Sequence, residues 1–102
     1  MFTIGDFPAR FVDDAEAQKQ LKARSVDRTL ACWRMIEEGL APERYMFGDT
    51  LTAIDVYALV MTRWRPGRDR IRAVAPRVVA AAERAEADPA LAAVVARNFP
   101  AP

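Results

Sequence analysis

The stretch Tyr45 to Trp64, YMFGDTLTAIDVYALVMTRW, holds a segment that is apolar almost all the way round a helix and carries its own start signal. Thr52 suits the N-cap: its hydroxyl can accept from the amide of Asp55 while the Asp55 carboxylate accepts from the amide of Thr52, a capping box with Asp in place of Glu or Gln. Leu51, before the cap, and Val56, at the fourth helical position, are placed to form a hydrophobic staple across it. From Ala53 to Met61 the sequence AIDVYALVM offers water only the Asp55 carboxylate and the Tyr57 hydroxyl. Such a helix is expected to be enclosed by protein, with the rest of the chain wrapped around it.

The flanking sequence supplies amphipathic helices to do the wrapping. Asp13 or Asp14 can cap a long one with Glu16 in its first turn, running to a stop near Gly39. Its apolar stripe takes in Leu21, Ser25, Thr29, Cys32, Trp33, Ile36 and Leu40, with Lys, Arg, Asp and Glu on the remaining surface. Cys32 falls on or near the buried side and reads as a structural thiol. Residues Leu40 to Arg44 form a short connection, with a brief helical turn from Pro42. Around Trp64 and Pro66-Gly67 lie Arg63, Arg65, Arg68, Arg70 and Arg72, a cluster interrupted by Asp69 that reads as a solvated loop. A short helix near Ile71 to Ala75 precedes a Pro76-started helix whose face is Val78, Val79, Ala82 and Ala85, small residues that allow close helix approach. Arg84 and Asp88 are spaced for a surface pair. Asp88-Pro89 repeats the cap-then-proline grammar for a last helix, with Leu91, Val94 and Val95 inward, Asn98 at its end, and FPAP extended and frayed beyond.

No segment shows strand periodicity, so the fold class is all-α: a single domain over 1–102, a bundle of about five helices around a buried central helix. Composition narrows the function. The chain has no histidine, which removes imidazole acid–base catalysis, Ser-His and Cys-His pairs and histidine metal sites. A net charge of +1 and the lack of an aromatic ladder among the arginines speak against nucleic acid. One cysteine allows no internal disulfide and fits a reducing cytosol. No run approaches the roughly 18 apolar residues of a membrane span. Asp55 is placed as a cap rather than as a catalytic base.

The run Gly48, Asp49, Leu51, Thr52, Ile54, Asp55 and Tyr57, followed by Arg63 and Trp64, resembles the central helix of the C-terminal domain of soluble glutathione transferases, nearest to the bacterial types. The likeness extends more loosely over the whole chain, through the long charged helix before it, the Pro-started helix after it and the DPAL segment near the end. It implies a glutathione-transferase C-terminal-domain-like fold that binds the hydrophobic substrate. It also implies that residues 1–11 are the remnant of a first helix cut in its middle, the helix that lines the substrate cleft and helps to form the homodimer. Ile4, Phe7, Phe11 and Trp64 fall where the family lines its pocket for a hydrophobic electrophile. Read from the residues alone, each of these four either lines such a pocket or simply packs on the bundle. The family's thioredoxin-like domain, which binds glutathione as co-substrate and supplies the catalytic residue, is the implied partner and is not in this sequence. The resemblance therefore implies no catalytic residue, cofactor or metal within this chain, and a cytoplasmic protein. The alternative is a stand-alone protein-interaction module of the same helical type.

Overall fold

The computed structural model describes residues 2–100, so expectations that fall on Met1, Ala101 and Pro102 lie outside it. The described residues form six helices with no strand: α1 (Phe2–Asp6), α2 (Ala15–Leu40), α3 (Ala53–Met61), α4 (Arg68–Val74), α5 (Pro76–Ala87) and α6 (Pro89–Asn98), with one 3-10 turn (Pro8–Arg10) between α1 and α2. This is the expected all-α class.

Most helix starts follow the local grammar. Asp14 caps α2 by accepting from the Ala17 amide at 2.8 Å. Asp88 caps α6 by accepting from the Ala90 amide at 2.9 Å, with Pro89 in the first turn. The capping box of α3 forms: the Thr52 amide donates to Asp55 Oδ2 at 2.8 Å. The Thr52 hydroxyl also donates to that oxygen, at 3.1 Å, while the Asp55 amide donates to the Thr52 carbonyl at 3.0 Å. The second carboxylate oxygen reaches outside the helix and accepts from the Met46 amide at 2.8 Å. With no solvent exposure, Asp55 thus ties the connection before α3 to the first turn of the helix.

α5 has no side-chain cap of its own. Its first free amides, on Arg77 and Val78, donate to the two carboxylate oxygens of Glu37 in α2, each at 3.0 Å. A cap supplied from another helix thus locks α5 against the far end of α2. Arg84 of α5 donates to the carbonyls of Glu43 and Arg44, both at 2.9 Å, and so fastens the connection after α2. The expected Arg84–Asp88 surface pair does not form, because each side chain satisfies backbone groups instead. No helical turn starts at Pro42. The connection is fixed by a tight turn in which the Tyr45 amide donates to the Gly48 carbonyl at 2.8 Å, with Gly48 at φ 103°, a conformation glycine reaches freely.

The core lies between α3, α5, α4 and the inner face of α2. Val78, Val79, Ala81, Ala82 and Ala85 of α5 are fully buried, as is Ile71 of α4. The alanines permit the close α3–α5 approach expected of them. Trp33 is buried among them, and Phe99, expected in a frayed tail, packs at the edge of this core.

Three further expectations are corrected. α3 is not enclosed on all sides: Asp55, Ala58 and Leu59 are buried, but Ile54, Val56 and Tyr57 lie on an exposed outer face. Nothing among the described residues covers that face, because α5 occupies one side of α3 only. Cys32 is exposed, since α2 turns Ser25, Thr29 and Trp33 inward and leaves Cys32 at the margin of that stripe. The arginines after α3 are mostly engaged. Arg63 and Arg68 both reach Glu86 Oε1, at 2.6 and 2.5 Å, Arg65 pairs with Asp6 at 3.2 Å, and Arg72 meets Asp69 and Glu83.

Candidate functional site

Two apolar regions could receive a ligand or partner. The first is a cleft between α2 and α3 of about 220 Å³, lined by Thr29, Cys32, Trp33, Ile36, Met46, Ile54, Tyr57, Ala58 and Met61. Its long wall is α2, whose periodicity brings Thr29, Cys32, Trp33 and Ile36 along one edge; its other wall is the outer face of α3. The Thr29 hydroxyl is already engaged, donating to the Ser25 carbonyl at 2.9 Å. That leaves the Cys32 thiol, the Tyr57 hydroxyl and the Trp33 indole N–H as the other polar groups among the lining residues. No charged side chain lines the cleft. The cleft can hold an apolar body by excluding water from it, and beyond the Cys32 thiol and Tyr57 hydroxyl it is lined by no titratable side chain.

The second region is the end of the molecule where α1 meets the segment leaving α3. The ion pair between Asp6 and Arg65 fixes these two segments side by side. Of the residues anticipated for a substrate pocket, Ile4 is half-buried, while Phe7, Phe11 and Trp64 are each about half exposed. Phe7 and Trp64 flank that ion pair, each one residue away along the chain. The Arg10 guanidinium covers the Phe7 ring at 4.5 Å from its centroid. None of the four lines the α2–α3 cleft. The structure thus places Phe7 and Trp64 at one end and presents a separate cleft that sequence reading missed. Its signal was present in the apolar stripe of α2 and in the unbroken hydrophobicity of α3, which together left more apolar surface than one core needs.

The box and staple residues divide by depth. Asp55 is buried, Leu51 and Thr52 are half-buried, and Val56 projects from the exposed face of α3. Among the described residues no group of His, Cys, Asp and Glu is arranged to hold a metal ion. No described helix is long and apolar enough to cross a membrane.

No protein-family model matches the chain, and no solved structure does. Among curated proteins it is 32% identical over 97 residues to an uncharacterized GST-like protein, YncG, of Escherichia coli (strain K12). That alignment takes in 95% of this chain and 46% of the relative, so the chain spans about half the length of the protein it matches. Along nearly its whole length, then, this helical chain is similar to a GST-like protein, as its sequence resemblance to the C-terminal domain of glutathione transferases implies.

Proposed function

We propose that this chain is the hydrophobic-substrate-binding portion of a glutathione transferase. It works in the cytosol as part of a homodimer, beside a thioredoxin-like portion that binds glutathione and supplies the catalytic residue. The observation that carries this reading is the similarity to a GST-like protein about twice as long. The chemistry of the chain supports it. The buried carboxylate of Asp55 and the buried hydroxyls of Ser25, Thr29 and Thr62 are engaged in structural hydrogen bonds, and there is no histidine. In the conjugation, the glutathione sulfur forms a bond to an electrophilic carbon, and the leaving group departs with the electron pair of the bond that breaks. This portion contributes proximity and an apolar wall, for which Ile4, Phe7, Phe11 and Trp64 are the candidate residues, and no reacting group.

The purified chain is expected not to be retained on immobilised glutathione and not to conjugate a chloronitrobenzene. It should nevertheless bind that aromatic saturably. Quenching of Trp64 fluorescence reports the binding, and Trp33→Phe, which leaves Trp64 as the sole tryptophan, should preserve it. Conjugation by the chain alone, or quenching confined to Trp33, sinks the proposal.

A further inference from the structure

The sequence contains only two lysines, Lys19 and Lys22. Three residues apart in α2, they are neighbours on one side of that helix, and Ala23, Val26 and Asp27 continue the same side at three- and four-residue steps. α4 packs alongside α2 and brings Arg70 to the other bank. These six residues border a depression of about 290 Å³ between the two helices. Its size is close to the lower end of the roughly 300–1,000 Å³ typical of small-molecule sites.

The charges around it are uncommitted. Arg63, Arg65, Arg68 and Arg72 are held in ion pairs, and Arg70 is the member of that cluster left out of them. Among the described residues the side chains of Lys19, Lys22, Asp27 and Arg70 make no hydrogen bond or ion pair. Three cations therefore face one carboxylate, a local excess of +2 in a chain whose whole net charge is +1. Toward α1 a smaller recess shares Lys22 and Val26 and is bordered by Asp6 and Arg65. Those two are paired with each other and add no net charge.

We propose that the depression between α2 and α4 binds a small phosphate monoester. A phosphate dianion neutralises the excess of +2. Its oxygens point in several directions, so it can accept from the two ammonium groups of α2 and from the guanidinium fork of α4 at once, whereas the planar carboxylate group meets one bank only. The depression is roomier than a bare phosphate requires, and Ala23 and Val26 give it an apolar lining for a short carbon body. Asp27 repels a second anionic group, which restricts the ligand to one phosphate. This inference stands apart from the proposed role in glutathione conjugation, and its test uses neither glutathione nor an electrophile.

Glycerol 3-phosphate titrated into the full chain and followed by NMR shifts is expected to bind saturably, with a Kd on the order of millimolar, as suits charges that water also reaches. Arg70→Gln, and Lys19→Gln with Lys22→Gln, should each weaken binding about fivefold or more, and Asp27→Asn should tighten it about threefold. Arg97→Gln removes one positive charge from α6, away from the depression, and should leave the affinity unchanged. All five side chains are exposed, so circular dichroism should show the helical content preserved. Acetylation of the lysines, followed site by site by mass spectrometry, gives an independent measure: saturating glycerol 3-phosphate should slow it at both Lys19 and Lys22. Vesicles of phosphatidylcholine containing phosphatidic acid tell the source of the phosphate. Co-sedimentation that glycerol 3-phosphate displaces assigns the site to a lipid headgroup, and no co-sedimentation beside saturable binding of the free ester assigns it to a soluble one. No saturable binding, an affinity indifferent to the lysine and Arg70 substitutions, or an equal loss in Arg97→Gln overturns the inference.

Discussion

The Asp55 carboxylate accepts the backbone amide of Met46, nine residues upstream, at 2.8 Å, the same distance at which its other oxygen accepts the amide of Thr52. One buried side chain therefore closes both the first turn of α3 and the connection that leads into it. Asp55→Ala leaves two backbone donors without partners as well as removing the cap, a loss of about 3 kcal/mol. For a domain of this size that is a large share of the total. Urea unfolding should show the midpoint fall by that equivalent, and Thr52→Ala, which leaves the Met46 bond intact, should cost clearly less. Equal losses for the two substitutions would show that the Met46 contact contributes nothing.

Glu37 caps α5 from a distance of forty residues in sequence. Glu37→Ala exposes the Arg77 and Val78 amides and removes a negative charge from the N-terminal end of the α5 dipole, for an expected cost of about 1–2 kcal/mol. The local signature is sharper than the global one: hydrogen exchange at those two amides should accelerate. Glu37→Gln should recover part of the protection, since it restores an acceptor without the charge. Unchanged exchange at both amides in Glu37→Ala would rule out the cap.

Glu86 gathers Arg63 and Arg68 on one carboxylate oxygen, and the Arg63 guanidinium lies over the Phe99 ring at 4.4 Å. Partial burial pushes the Glu86 carboxyl up, but hydrogen bonds from and proximity to Arg68 and Arg63 together outweigh it and hold the group below its ordinary value of 4.5. A carboxyl lowered in the folded state binds its proton more readily in the unfolded one, so its contribution is complete above the unfolded value and fades as pH falls through the folded value. Glu86→Gln should lower the melting temperature at pH 7, by the equivalent of about 1–2 kcal/mol. The gap from the unaltered chain should narrow on acidification below about pH 4.5. A gap that is constant with pH would show the loss to be one of shape and not of charge.

These contacts mark where the sequence was legible. The caps at Thr52, Asp14 and Asp88 were readable because donor and acceptor lie within three residues, and the helical register alone brings them together. The Glu37 cap and the Arg84 clasp on Glu43 and Arg44 span some forty residues, and nothing local distinguishes those side chains from solvated ones. Phe7, Phe11 and Trp64, which the sequence left open between lining a pocket and packing on the bundle, are each about half exposed, and the α2–α3 cleft was not legible. An apolar stripe tells which side chains avoid water and leaves open whether this chain itself covers them, which is how Cys32 and Tyr57 were both assigned too deep a position.

The end of α2 offers a change of opposite sign. Ala41 adopts the left-handed conformation, φ 44°, in which its amide donates to the Glu37 carbonyl at 3.0 Å and terminates the helix. An L-residue with a β-carbon is disfavoured there by roughly 1–2 kcal/mol, whereas glycine bears no such penalty but gives the unfolded chain up to about 1 kcal/mol of extra freedom. Ala41→Gly should therefore be neutral to stabilising, by up to about 1 kcal/mol, and should raise the melting temperature by a few degrees. A fall in melting temperature would mean that the methyl group makes a contact worth more than the strain.

α1 is held to α2 by close approach at Gly5, where an added β-carbon would lie 2.5 Å from the Ser25 hydroxyl oxygen but 3.6 Å from the Ser25 β-carbon. The first distance is a clash and the second is ordinary contact. Gly5→Ala should thus dislodge α1, even though alanine favours a helix more than glycine does. Ser25→Ala removes only the offending oxygen, at the expense of a hydrogen bond to the Lys22 carbonyl within the same helix. In the double variant the β-carbon fits, so the two changes should be less damaging together than their sum, a positive coupling in a double-mutant cycle. The Phe7 amide, which donates to the Thr3 carbonyl at 2.9 Å, reports it directly: its exchange should quicken in Gly5→Ala and slow again in the pair. Simple additivity would show that α1 is placed by other contacts, the Asp6–Arg65 ion pair foremost, and that the glycine is incidental to the packing of the two helices.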